Sequence, residues 1–292
     1  WLRSELASRS GKTPHFGWYY RMDPQIEYAY GRADVAVTAF PERAASLCAE
    51  GDYFGVHPHP IRWSDEHQLW VHDFGDQQWL RECVNFSLEA FERWKGSPAM
   101  HFRMGAGFLN DNLVAVLDQR GVKFDLTLEP VAGWGLNAAV VPTAVDVSPI
   151  VGNYTNCVNA PHAPYRPARE NFLRPGNHDA RNIVLLPLST KKRAYWRSKL
   201  KQVLGGARTP ALVDMLYPTG YWPSDRYFWD LVARQLRSMR RPYLSLAIRT
   251  DAPDSAHARK VFQLFSTLTQ HPLAECLRFV DPEEVVGTIM LR

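Results

Sequence analysis

Short apolar runs alternate with amphipathic stretches along the whole chain. The period-two runs predict strands over Phe16–Tyr20, Tyr53–His57, Met100–Arg103, Lys123–Thr127, Ile183–Pro187 and Tyr243–Ile248, with a weaker one over Leu277–Val280. Apolar positions three and four apart predict helices between them. Asp76–Trp94 sets Trp79, Leu80, Cys83, Val84, Phe91 and Trp94 on one broad face. Asn110–Gln119 carries Leu113, Val116 and Leu117, and Gly121 is its expected stop. Asp225–Met239 offers Phe228, Leu231, Val232 and Leu236, and His257–Leu268 offers Val261, Leu264, Phe265 and Leu268. The sequence opens at Trp1 inside a further helical stretch, Trp1–Leu6, so an upstream segment, and with it a first strand, is expected to precede it.

Strands separated by helices call for parallel βα units. Six or seven such units without a dinucleotide-binding glycine motif predict an α/β fold of the irregular (β/α)7 barrel type. The segment 131–181 is rich in Gly, Pro and Asn and is expected to be a long loop insertion. No linker divides the chain, so residues 1–292 read as a single domain.

In a parallel βα barrel the chemistry sits at the C-terminal ends of the strands. Taken in turn, those ends carry Arg21 and Asp23, His57 and His59, His101 and Arg103, Asp125 and Glu129, Ser189 and Thr190, and Arg249, Thr250 and Asp251. The most informative is His57-Pro58-His59-Pro60. Two imidazoles one residue apart at a strand end point to the same side, where neutral rings can hold a divalent metal. The prolines withhold N–H groups and suit a strand end. Asp23 stands before Pro24 and reads both as a helix N-cap and as a carboxylate at the barrel mouth. Asp125 reads equally as a structural partner of Arg103 and as a site residue. His162 lies in the proline-rich stretch Pro161–Pro167 and is a candidate for a loop over substrate. His67, His72 and His178 read as surface or hydrogen-bonded structural residues.

Composition narrows the classes. With 46% hydrophobic and 22% charged residues, the chain is ordinary globular protein with length enough for a sizeable core. No apolar run approaches a membrane span. The net charge of +4 comes with two basic stretches, Lys191–Lys201 and Arg237–Arg241, which read as solvated helix faces and not as a nucleic-acid surface. Four cysteines without CxxC spacing exclude a zinc ribbon and give no disulfide framework, so a reducing cytoplasm is expected. Gly11-Lys12-Thr13 lacks the first glycine of a phosphate loop.

Three segments in order carry a family resemblance. They are Gly51-Asp52-Tyr53-Phe54-Gly55-Val56-His57-Pro58-His59-Pro60, then Phe102-Arg103-Met104-Gly105-Ala106-Gly107, then Leu117–Asp125. Together they resemble the His motif, the Arg motif and the following helix-strand step of the NodB-homology polysaccharide deacetylases, the carbohydrate esterase family four group, from about Trp18 to Val286. The chain departs from that family in three respects. Its histidines are two apart instead of four, as in divergent His-x-His-Pro members. The first-strand aspartates have no counterpart. The late-strand histidine that serves as general acid is absent near Ile248–Asp251.

The resemblance implies metal-assisted removal of an N-acetyl group from a sugar or glycoconjugate. A divalent ion, Zn²⁺ by its donor set, would bind His57 and His59. Asp23 would be the carboxylate, Arg103 and Asp125 would act beside it, and Arg249 would stabilise an oxyanion. Arg21, Trp63, Trp134 and His162 are the candidate substrate contacts; the aromatic faces of Trp63 and Trp134 would stack on sugar rings. Expected partners are a carbohydrate substrate and no nucleic acid. Two rival readings stand beside this one: a catalytically silent carbohydrate-binding barrel, and a metal hydrolase acting on a non-sugar amide.

Overall fold

The computed structural model describes residues 2–66, 68–130, 150–151, 159–191, 214–215, 225–239, 241–248, 263–264 and 266–290. Helix α1 (Leu2–Ser10) leads to β1 (Gly17–Tyr20), then to α2 (Pro24–Tyr30), α3 (Val35–Thr38), α4 (Pro41–Ala49) and β2 (Tyr53–Val56). A hairpin follows, β3 (Ile61–Ser64) and β4 (Leu69–Asp73), then α5 (Gln77–Lys95), β5 (His101–Phe102), α6 (Asp111–Gln119) and β6 (Phe124–Asp125). Short strands β7 (Ile150–Val151) and β8 (Val184–Leu185) come next, and the helix Asp225–Ser238 lies nearer the C-terminus.

Local chemistry explains the two central helices. The Asp76 carboxylate caps α5 by accepting from the N–H groups of Gln78 and Trp79, each at 3.0 Å, and Gly96 at φ 71° ends it. Asn110 caps α6 by accepting from Leu113 N–H at 2.8 Å. Both helices agree with the sequence reading to within a residue or two at either end.

Five parallel strands form the main sheet in the order β1-β2-β5-β6-β8. The order follows the chain without reversal, which is barrel-type winding, whereas a doubly wound sheet reverses at a switch point. The fold is therefore α/β with a mostly parallel, singly wound sheet; no ladder among the described residues closes it. Tyr243–Ile248, expected as a strand, joins no ladder. It still continues the winding, because Ser189 N–H donates to Ser245 O at 3.0 Å. Its side chains alternate as in a strand, with Tyr243 packed against Phe124 and Val184 while Leu244 and Leu246 face the helix Asp225–Ser238. Leu277–Val280 is also outside any ladder, with Leu277 and Phe279 packed on that same helical cluster.

The sheet buries both faces. One carries Phe54, Val56, Phe102 and Leu185 against Leu80, Val84, Leu88 and Phe91 of α5 and Leu113, Val114 and Leu117 of α6. Each such side chain contributes about 1.5–3 kcal/mol on burial. The other face carries Phe124, Val184 and Leu186. Gly55 lies between Tyr19 and His101, and a Cβ there would come within 2.6 Å of the His101 carbonyl oxygen. The described residues of the expected insertion, 150–151 and 159–181, are tied into the same fold: β7 pairs with β4, and Tyr165 and Phe172 join the main core. Among the described residues no helix is long and apolar enough to cross a membrane.

Candidate functional site

The loops leaving β2 and β5 are zipped together at the C-terminal edge of the sheet. Arg103 N–H donates to Val56 O at 3.0 Å and Gly105 N–H donates to Pro58 O at 2.8 Å. Between them stand the two predicted imidazoles. His57 Nδ1 lies 2.8 Å from the carbonyl oxygen of Arg103. A carbonyl only accepts, so His57 carries its proton on Nδ1 and presents Nε2 as the basic nitrogen. That Nε2 faces His59 Nε2 at 3.2 Å, with the ring planes at 87°.

This separation admits one proton or one metal ion. Two nitrogens bound at about 2.0–2.1 Å to a tetrahedral ion lie about 3.3–3.4 Å apart. An imidazole whose outer nitrogen donates to a backbone carbonyl is also the usual setting of a metal-bound histidine. The pair therefore fits two positions around a divalent ion. Among the described residues no group of three or more His, Cys, Asp or Glu side chains converges as a metal site.

His59 is held on three sides. Its backbone N–H donates to Asp23 Oδ2 at 3.0 Å, its Nδ1 lies 2.9 Å from His72 Nε2, and its ring lies flat over Gly105. A Cβ on Gly105 would meet the ring carbons at 2.4 Å. His72 projects from β4 and is buried. The hairpin that brings it here was not foreseen, although Ile61–Ser64 and Leu69–Asp73 flank the polar turn Asp65–Gln68 in the manner of paired strands.

Asp23 is fully buried and takes the N-cap position, one of its two expected readings. Oδ2 accepts from Arg21 Nε (2.8 Å) and from His59 N–H, and Oδ1 accepts from Arg21 Nη2 (3.0 Å) and from Ile26 N–H (3.2 Å). A carboxylate offers about four lone-pair positions, and these donors use them. Asp23 thus caps α2 and anchors His59, with no lone pair left for an ion. Arg21, expected to touch substrate, braces this cap and also donates to Gln25 Oε1 at 2.8 Å.

Arg103 and Asp125 part company. Arg103 Nη2 donates to Glu129 Oε1 at 2.9 Å and Nη1 to Leu126 O at 2.6 Å, all of it buried. Asp125 pairs in register with Phe102, so it faces the helices, whereas Arg103 follows on the opposite side with His57. Its carboxylate accepts from Thr127 N–H (2.9 Å) and Thr127 Oγ1–H (2.8 Å), not from Arg103. Burial pushes the Asp125 pKa up to about 7, against weaker downward pulls from Thr127 and Arg103.

His101 does not belong to this edge. It stands one rung back from this edge, paired with Gly55 and Phe124 in the ladder, with its ring against Tyr53 and Phe124. Burial lowers its pKa to about 4, so it is neutral at pH 7 and the approach of Glu283 to 3.7 Å is not an ion pair. Trp63 is exposed on β3, edge-on to Trp70, which in turn meets Tyr28. His162 is exposed. Trp134 and Arg249 lie outside the described residues.

No protein-family model and no curated protein matches the chain. A crystal structure described as that of a "putative polysaccharide deacetylase from Mycobacterium smegmatis" is similar to it at 12% identity, over 99% of this chain and 77% of that one, with a TM-score of 0.46.

Proposed function

We propose that the chain is a metal-dependent hydrolase that removes an N-acetyl group from a sugar or glycoconjugate. The observation that carries this reading is the meeting of His57 and His59 Nε2 at 3.2 Å, at the C-terminal edge of a parallel sheet and beside an Arg103 loop in the family's order. His57 and His59 would hold the ion, and imidazole donors suit Zn²⁺. When bound, such an ion polarises a carbonyl oxygen and lowers the pKa of water.

The chain's own residues orient the pair. The Arg103 carbonyl sets the tautomer of His57, Asp23 grips the His59 backbone, and the Arg103–Glu129 ion pair stiffens the loop that carries that carbonyl. The exposed rings of Tyr28 and Trp63, with the half-buried Trp70 between them, lie at the hairpin and offer faces to sugar rings. The silent carbohydrate-binding barrel is the second reading, favoured by the want of a third converging ligand among the described residues.

Metal analysis of the purified chain, with acetate release from a panel of N-acetyl sugars and simple amides, tests the proposal. One bound Zn²⁺, lost in His57→Ala, and acetate release from N-acetyl sugars are expected. Sugar binding that survives in a metal-free chain and in His57→Ala would favour the silent barrel; activity on simple amides alone would reject the sugar. Gly105→Ala is expected to displace the His59 ring and lower turnover about 100-fold, with the circular-dichroism spectrum unchanged. Parent-like kinetics in that variant would show that the His59 position is not needed.

A further inference from the structure

We infer that His72 is a positioning residue that fixes the orientation of the His59 ring and pairs with its Nδ1 in either tautomer, an inference that rests on the proposed metal site for its chemical purpose. His72 stands opposite Ile61 in the hairpin ladder, stacks on Phe74 with ring centroids 5.9 Å apart, and sets its Nε2 2.9 Å from His59 Nδ1. Asp23 holds the His59 backbone and Gly105 floors its ring, while His72 meets the ring at Nδ1 and His57 meets it at Nε2.

The proton positions follow from one anchor. The Arg103 carbonyl accepts, so neutral His57 donates from Nδ1 and accepts at Nε2. The single proton between the two Nε2 atoms therefore belongs to His59. That leaves His59 Nδ1 as an acceptor, and His72 donates to it from Nε2. Were an ion held by His57 and His59, both Nε2 atoms would be its donors and the shared proton would leave to solvent. His59 must then carry its proton on Nδ1 and donate to His72 Nε2, which accepts once His72 holds its proton on Nδ1. An imidazole can serve in both states because either nitrogen can carry the proton. A glutamine amide can also offer either a donor or an acceptor, whereas phenylalanine keeps the ring shape and offers neither.

The test uses the full chain and Zn²⁺ alone as probe. Long-range ¹⁵N spectra of the metal-free protein, taken above the ordinary histidine titration range, are expected to show His57 protonated on Nδ1 and both His59 and His72 on Nε2. Addition of Zn²⁺ is expected to move the His59 proton to Nδ1. His72→Phe is expected to weaken Zn²⁺ binding about 10- to 100-fold, while His72→Gln restores affinity to within a few-fold. A role of shape alone predicts the reverse ranking of the two variants and would overturn the inference, as would parent-like affinity in His72→Phe. A parent chain that binds no Zn²⁺ would sink the proposed function; a metal-free spectrum in which His72 is not protonated on Nε2 would separately overturn the pairing of His72 with His59. Should His72→Phe fail to fold, the parent spectra and His72→Gln decide.

Discussion

Replacing Arg103 with alanine is expected to lower the unfolding free energy by about 3–5 kcal/mol. Its guanidinium bridges Glu129 and the Leu126 carbonyl at the end of β6, and both ion-pair partners are nearly closed to water, with side chains 10% and 5% exposed. Truncation removes the cation but leaves the buried carboxylate, whose desolvation is then no longer offset. Removing both charges together costs less than the sum of the single changes, because no uncompensated charge is left. Arg103→Met with Glu129→Met is the matching double variant. Urea unfolding with an unchanged m-value checks this, and an Arg103→Ala midpoint within about 1 kcal/mol of the parent would contradict it. The His57 anchor is the Arg103 backbone carbonyl, so the side-chain change reaches the histidines only through loss of loop rigidity.

The second large effect is a pH dependence that two buried groups nearly hide. Asp125 holds its proton up to about pH 7 in the folded chain, while an unfolded aspartate loses it near 3.9. Between these values the native state binds more protons, so its stabilising contribution is present at low pH and is lost as pH rises through 7. His101 works the other way. Its folded pKa of about 4 lies below the ordinary histidine value of about 6.5, so it costs stability below that value and the cost fades as pH rises towards it. From pH 5 to pH 8 the first contribution falls by about 3 kcal/mol and the second grows by about 2 kcal/mol. These two contributions therefore offset one another in large part. Asp125→Asn removes the falling part, and its stability is expected to rise over the same range, so that the two profiles diverge by about 3 kcal/mol. Urea midpoints at pH 5 and pH 8 for both chains measure this directly; parallel profiles would mean that Asp125 ionises normally in the fold.

Much of the scaffold was legible because it rests on local rules. The Asp76 and Asn110 caps, the apolar spacing of α5 and α6 and the glycine stop after each are written within a turn of the residues they govern. The same holds for the first five predicted strands, each of which contains an observed one. Tyr243–Ile248 has strand alternation without a ladder, since alternation is a property of the segment and a ladder is a property of two.

The sequence by itself determined that His57 and His59 follow directly on one strand and Arg103 on the next, because the apolar runs that set strand ends are local to the segment. Tertiary structure alone decided what each of them meets. Register along β5 and β6 sent Asp125 to the helix-covered face, left Arg103 to Glu129, and set His101 one rung back between Gly55 and Phe124. The β3–β4 pairing delivered His72 to His59, and the α2 cap turned Asp23 from a candidate ligand into an anchor. Each of these outcomes depends on hydrogen bonds between segments far apart in the chain, and such pairings shift whole sets of side chains from one face to the other with a slip of a single residue.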